Sequence, residues 1–141
     1  MHILLVDDDP GLRSTAACIL VQEGYEVKQA NNGNQALRMV LDSVIGNDQY
    51  DLVIADVMMP NLSGMYLLKI MRANGILIPV LVISGYLDAL IFEELHKLEP
   101  LDYILKPFNP DEFIRYVEEL IATHHDPAVS CLRPSFGMKI P

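Results

Sequence analysis

Apolar residues gather in five short runs along the chain, and each run is followed by a stretch where they recur every three or four positions. The first run, His2–Val6, is almost unbroken, which suits a strand buried on both faces. Similar runs at Glu26–Ala30, 51–55, 79–84 and 102–105 predict four more strands. Between them the period changes to that of a helix. Leu12, Ala16, Ile19 and Leu20 line one side of a first helix, and Ala36, Leu37, Val40 and Leu41 line a second, over about 33–44. Leu67, Leu68 and Met71 mark a third, and Phe113, Val117, Leu120 and Ile121 a fifth. The fourth is richer in apolar residues than one buried stripe needs: Leu87, Leu90, Ile91, Phe92, Leu95 and Leu98.

Local signals set the helix ends. Asp9-Pro10 supplies an N-cap and a proline at the first helical position, and Gly24 is a C-cap for that helix. Leu62-Ser63-Gly64 opens the third helix. Asp88 caps the fourth, which should run to about Leu98, where Pro100 forbids its continuation. Asn109-Pro110-Asp111-Glu112 starts the fifth, with two acids at the positive end of its dipole. Strands alternating with helices over short loops predict a parallel sheet with helices on both faces. Right-handed crossovers make it a doubly wound α/β sheet of five strands flanked by five helices. The pattern stops after Ala122, so residues 1–122 read as one domain. Residues 123–141, with Pro127, Pro134 and Pro141, read as a tail or linker with little regular structure.

Composition narrows the function. With 141 residues, 51% of them apolar and 21% charged, the chain is globular and not disordered. No apolar run approaches the roughly 20 residues of a membrane span. The amino terminus lacks the basic segment and cleavage site of a secretory signal, so a cytoplasmic protein is expected. A net charge of −9 argues against direct nucleic-acid binding, which needs clustered Lys and Arg. Cys18 and Cys131 form no disulfide or metal pattern; Cys18 is expected in the core and Cys131 in the tail.

In an open parallel sheet, ligands bind beyond the carboxyl ends of the strands. There the sequence places Asp7, Asp8 and Asp9 after the first strand, Asp56 after the third, Ser84 at the end of the fourth and Lys106 after the fifth. Two carboxylates 4 Å apart repel by about 4 kcal/mol at an effective dielectric of 20, so the cluster calls for raised pKa values or a cation. Oxygen ligands select a hard ion, and a site with few carboxylates suits Mg²⁺. A carboxylate beside such an ion can attack a phosphoryl group, while Lys106 and Ser84 engage the phosphate oxygens.

Several segments carry a family resemblance: Ile3-Leu4-Leu5-Val6-Asp7-Asp8-Asp9-Pro10, Tyr50 through Pro60 around Asp56, Ser63-Gly64, Leu81-Val82-Ile83-Ser84-Gly85 and Tyr103-Ile104-Leu105-Lys106-Pro107-Phe108. In order and spacing they resemble the receiver domains of two-component response regulators, the chemotaxis-regulator-like group included. The resemblance covers about residues 1–122 and implies a flavodoxin-like sheet of strand order 2-1-3-4-5. It further implies that Asp56 accepts a phosphoryl group from a sensor histidine kinase or phosphotransfer protein. Mg²⁺ would be held by Asp7, Asp8, Asp56 and the Met58 carbonyl. Ser84 and Tyr103 would form the switch pair, Lys106 would pair with the phosphoryl group, and the Lys106-Pro107 bond would be cis. Output would reach a downstream protein or domain through the face built from the fourth helix, fifth strand and fifth helix. A homodimer formed on phosphorylation is one form this output takes.

Some residues depart from the family pattern. Glu99-Pro100-Leu101 replaces the small pair that usually precedes the switch aromatic, Gly85 stands where Ala is common, and the loop before Tyr50 is longer. Met58 and Tyr86 occupy positions that tune phosphoryl hydrolysis in the family; neither suits orienting water, so a long-lived aspartyl phosphate is expected. A competing reading is a phosphohydrolase with an aspartate nucleophile, but the second acid such enzymes usually carry two residues later is Met58 here. A phosphorylation-independent docking module is the other alternative. For the fourth helix, Phe92 with Tyr103 is the candidate partner face, set against simple core packing.

Overall fold

The computed structural model describes residues 1–57, 63–85 and 88–125. Its elements follow in strict alternation: β1 (His2–Val6), α1 (Pro10–Gln22), β2 (Glu26–Ala30), α2 (Gly33–Ile45), β3 (Leu52–Asp56), α3 (Gly64–Ala73), β4 (Val80–Ser84), α4 (Ala89–His96), β5 (Leu101–Leu105) and α5 (Pro110–His125). All strand pairs are parallel, in the order β2-β1-β3-β4-β5. The winding direction reverses between β1 and β3, so the carboxyl ends of those two strands flank the crevice. The register pairs Val6 with Ala55, Asp56 with Ile83 and Ser84 with Leu105, bringing the chemistry-bearing strand ends to one edge.

Successive strand residues point to opposite faces, so the sheet divides the core in two. Leu4, Val6, Val53, Val82 and Tyr103 pack on one side with buried residues of α2, α3 and α4. Ile3, Leu5, Ile54, Ile83 and Ile104 pack on the other with α1 and α5. Because both faces of β1, β3 and β4 are covered, these strands are apolar except at one end each: His2 at the start of β1, Asp56 at the end of β3 and Ser84 at the end of β4. The edge strand β2 instead exposes Glu26, Lys28 and Gln29, whose charge and polarity discourage pairing with another chain.

The N-caps satisfy the orphan N–H groups of the first turns. Asp9 Oδ1 accepts from the amides of Gly11 and Leu12, Asn32 caps α2, Ser63 caps α3, and Asp88 caps α4. Asn109 Oδ1 accepts from the Glu112 amide at 2.7 Å.

Three expectations need correction. Cys18 is exposed, not core: at 100° per residue it lies opposite the buried Ala16, Ala17 and Leu20. The helix α4 stops at His96, short of Leu98, yet Leu98 remains buried because the turn after the helix still folds inward, its N–H reaching the Leu95 carbonyl. The helix α5 continues to His125, three residues past the expected end of the domain, and Thr123 is buried with its hydroxyl on the Glu119 carbonyl. Residues 126–141, the remainder of the expected tail, lie outside the described residues. Among the described residues no helix is long and apolar enough to cross a membrane.

Candidate functional site: an acidic pocket at the carboxyl edge of the sheet

β1 and β3 deliver Asp7 and Asp56 to the edge side by side, both buried. Asp7 is held from several directions. Its amide donates to the Ala30 carbonyl of β2, and its Oδ1 accepts from the Asp9 amide at 3.0 Å. Arg13, one turn into α1, donates Nη1–H to the Asp7 carbonyl at 2.7 Å and Nε–H to Gln29 Oε1 at 3.2 Å. This fixes the turn that carries the acids. Asp8, the next residue, is exposed. One ligand oxygen from each of Asp7, Asp8 and Asp56 lies within 4.8 Å of the others.

Lys106, just past β5, closes the pocket. Its Nζ lies 2.7 Å from Asp56 Oδ2 and 3.4 Å from Asp7 Oδ2. Its amide donates to the Ser84 carbonyl at 2.7 Å, so the lysine is pinned to the end of β4, where Ser84 is fully buried. The Lys106-Pro107 and Glu99-Pro100 bonds are both cis. On the other side of Asp56, α3 begins in near contact with the strand. A Cβ on Gly64 would fall 2.0 Å from the Asp56 carbonyl oxygen, so only glycine lets the helix approach this closely.

The charges are consistent with a cation site. Burial raises the Asp7 carboxyl above the ordinary range, with the nearby Asp56 charge adding to it, against the lowering pull of the Asp9 N–H and Lys106. Burial pulls the Lys106 ammonium down, but the hydrogen bond and charge of Asp56, with Asp7 behind them, outweigh it and leave its pKa raised. Lys106 is therefore a firm cation at neutral pH. Lys106 contacts two of the three clustered carboxylates, Asp7 and Asp56, and one positive charge beside three acids leaves net negative charge for a hard, oxygen-seeking ion. The all-oxygen donor set fits Mg²⁺.

The structure thus brings Asp7, Asp8, Asp56 and Lys106 together, with Ser84 at the adjoining strand end. Tyr103 lies below that edge, paired in register with Val82, and its ring packs edge-on against Phe92 with centroids 4.9 Å apart. Phe92 is buried, while Leu90 on the same helix is 71% exposed. The expected Met58 ligand lies outside the described residues. Sequence reasoning missed Arg13: its partners are a carbonyl and a neutral amide, which leave no charge pattern to read.

A doubly wound parallel sheet with an acid pocket and a lysine at its carboxyl edge defines a class of α/β domains that carry their polar site where ligands bind in open sheets. The response regulator receiver domain family matches residues 3–118, and the chain belongs to that family. Among curated relatives it is 36% identical over 143 residues to the transcriptional regulatory protein ZraR of Escherichia coli K12, covering 98% of this chain and 31% of ZraR. To the response regulator MprA of Mycobacterium leprae it is 34% identical, covering 97% of this chain and 58% of that protein. The chain therefore spans about a third to little more than half of these relatives. Among solved structures, the Francisella response regulator 1452 receiver domain superposes with a TM-score of 0.75 at 31% identity, covering 87% of this chain and 98% of that one. The Vibrio cholerae chemotaxis protein CheY4 superposes with a TM-score of 0.76 at 26% identity, covering 84% and 97%. Receiver domains are signalling switches of two-component systems rather than conventional enzymes, and Mg²⁺ and phosphorylation are typical of them.

Proposed function

We propose that Asp56 is phosphorylated in a Mg²⁺-dependent reaction by a histidine kinase or phosphotransfer protein, and that the aspartyl phosphate shifts the conformation of the α4–β5–α5 face. The observation that carries this is the Lys106–Asp56 contact inside a pocket that also holds Asp7 and Asp8. A carboxylate oxygen of Asp56 attacks phosphorus as the donor's N–P bond breaks, and the electron pair returns to the imidazole nitrogen, which takes up a proton. Asp7, Asp8 and Asp56, with the Met58 carbonyl, would hold Mg²⁺, which would supply charge neutralisation for the transferring oxygens. Lys106 leaves its ion pair with Asp56 to meet a phosphoryl oxygen, and the Ser84 hydroxyl donates to another.

Phosphorylation acts only through its different interaction with the two conformations. Ser84 on β4 and Tyr103 on β5 are neighbours of the moving face, and exposed Leu90 and Leu105 give that face apolar contact area for a partner, an output domain or a second copy. The receiver unit proposed here is about residues 1–125, with 126–141 as a linker.

Intact-mass measurement with acetyl phosphate tests the chemistry. A gain of one phosphoryl group that requires Mg²⁺ and disappears in Asp56→Asn is the expected result. No gain from acetyl phosphate, from a cognate kinase, or of Mg²⁺-dependent beryllofluoride would leave the docking-module reading.

A further inference from the structure

Arg72, in the last turn of α3, directs its guanidinium inward at three main-chain carbonyls. Nη1 donates to Ile76 O at 2.6 Å, Nε to Leu98 O at 2.8 Å and Nη2 to Pro100 O at 2.8 Å. Burial lowers its pKa to about 10, which still leaves it charged at neutral pH. Among the described residues it has no carboxylate partner, so its hydrogen-bonding capacity goes to holding backbone. A planar fork suits that task, whereas a lysine reaches fewer of these oxygens.

The carbonyls it holds are informative. Leu98 and Pro100 belong to the connection between α4 and β5, and Pro100 O also accepts the first ladder N–H of β4, from Val80, at 3.2 Å. This connection links the helix that carries Phe92 to the strand that carries Tyr103, the two rings packed edge to face. At its other end α3 is seated on the acceptor. Gly64 lies against the Asp56 carbonyl, and its amide donates to Val57 O at 3.2 Å. One rigid helix of ten residues, about 15 Å long, therefore touches the acceptor backbone at its start and grips the base of the Phe92–Tyr103 pair at its end. An ion pair between α3 and α4, Lys69 to Glu94 at 2.8 Å, is nearly half solvent-exposed on both side chains and holds weakly.

We propose that Arg72 is a positioning residue that couples the Asp56 site to the Phe92–Tyr103 face through α3. This rests on Asp56 being the acceptor. Coupling between separated sites is carried by contiguous packed elements, and here the contiguity runs along one helix with a backbone contact at each end. A purely structural staple would lower stability when removed and leave the response to phosphorylation intact. A coupling residue would change that response.

The test loads the full chain with Mg²⁺ and beryllofluoride and follows amide chemical shifts near Asp56 and at Phe92 and Tyr103. Arg72→Ala and Arg72→Lys are compared with Lys69→Ala and the unaltered protein. The expected result is that Arg72→Ala still binds, with full shifts around Asp56, while the shifts at Phe92 and Tyr103 fall to a small fraction of their unaltered size. Arg72→Lys is intermediate, and Lys69→Ala responds normally. Full-size shifts at Phe92 and Tyr103 in Arg72→Ala overturn the proposal. If Arg72→Ala does not fold, Arg72→Lys decides, and a full response there overturns it equally. Failure of the unaltered protein to bind beryllofluoride overturns the acceptor reading itself, a result distinct from an uncoupled variant.

Discussion

The Lys106 ammonium lies 2.7 Å from the Asp56 carboxylate, and the two side chains come from strand ends 50 residues apart. With Asp7 also buried nearby, the lysine offsets charge that the fold would otherwise leave uncompensated. Breaking a buried ion pair typically costs 3–5 kcal/mol, but Lys106 is about a quarter exposed, so Lys106→Met should lose only about 2 kcal/mol at pH 7 in EDTA. Mg²⁺ should stabilise this variant more than the unaltered protein, because the ion replaces the missing positive charge. Urea titrations with and without Mg²⁺ check this; an equal Mg²⁺ effect on both proteins would refute it.

Asp7 contributes to the pH dependence of the pocket in the absence of metal. Burial raises its carboxyl pKa, so the folded chain holds the proton more tightly than the unfolded one. Its favourable contribution is therefore complete below the ordinary Asp value of about 3.9 and is lost as pH rises through the raised value. In EDTA, Asp7→Asn should be more stable than the unaltered protein at pH 7, with the advantage shrinking as pH falls toward 4. Mg²⁺ should reverse the order at pH 7. Parallel stability–pH curves for the two proteins would count against this assignment.

Much of this arrangement is legible in sequence because it depends on short-range signals. Apolar runs marked the buried strands, and Asp9, Ser63, Asp88 and Asn109 each stand at a helix start that the structure bears out. Acids at strand ends become a pocket once the sheet is parallel, since topology alone gathers carboxyl ends at one edge. What sequence does not show is which atoms meet across long separations. Nothing in the sequence singles out Arg72, because the carbonyls it holds belong to Leu98 and Pro100, 26 and 28 residues away. Cys18 misled because a locally apolar stretch says little about which side of the helix faces inward.

Gly64 should prove as sensitive as a charged site residue. Alanine is ordinarily the better helix former by up to about 1 kcal/mol, but here its Cβ would meet the Asp56 carbonyl oxygen at 2.0 Å and its carbon at 2.8 Å. Both are backbone atoms of a central strand and cannot rotate away. Gly64→Ala should lose about 1–3 kcal/mol and slow phosphoryl uptake at Asp56. Gly11→Ala, whose nearest neighbour would be 3.4 Å away, should be close to neutral. Denaturation and intact-mass time courses on both variants give the comparison, and equal behaviour would remove the role assigned to Gly64.

The fourth helix separates packing from contact with a partner. Phe92, a candidate for the partner face on sequence grounds, is buried against Tyr103, and Leu90 is 71% exposed. Phe92→Ala removes a large core side chain together with an edge-to-face ring contact, so it should cost about 3–4 kcal/mol. Leu90→Ala should change stability by less than about 0.5 kcal/mol, since it is a surface truncation. If the α4–β5–α5 face carries the output, Leu90→Ala should nonetheless weaken phosphorylation-dependent association, measured by sedimentation of the beryllofluoride-loaded protein alone or with its partner. A Leu90→Ala variant that associates normally, beside a Phe92→Ala variant as stable as the parent, would move the output surface elsewhere on the domain.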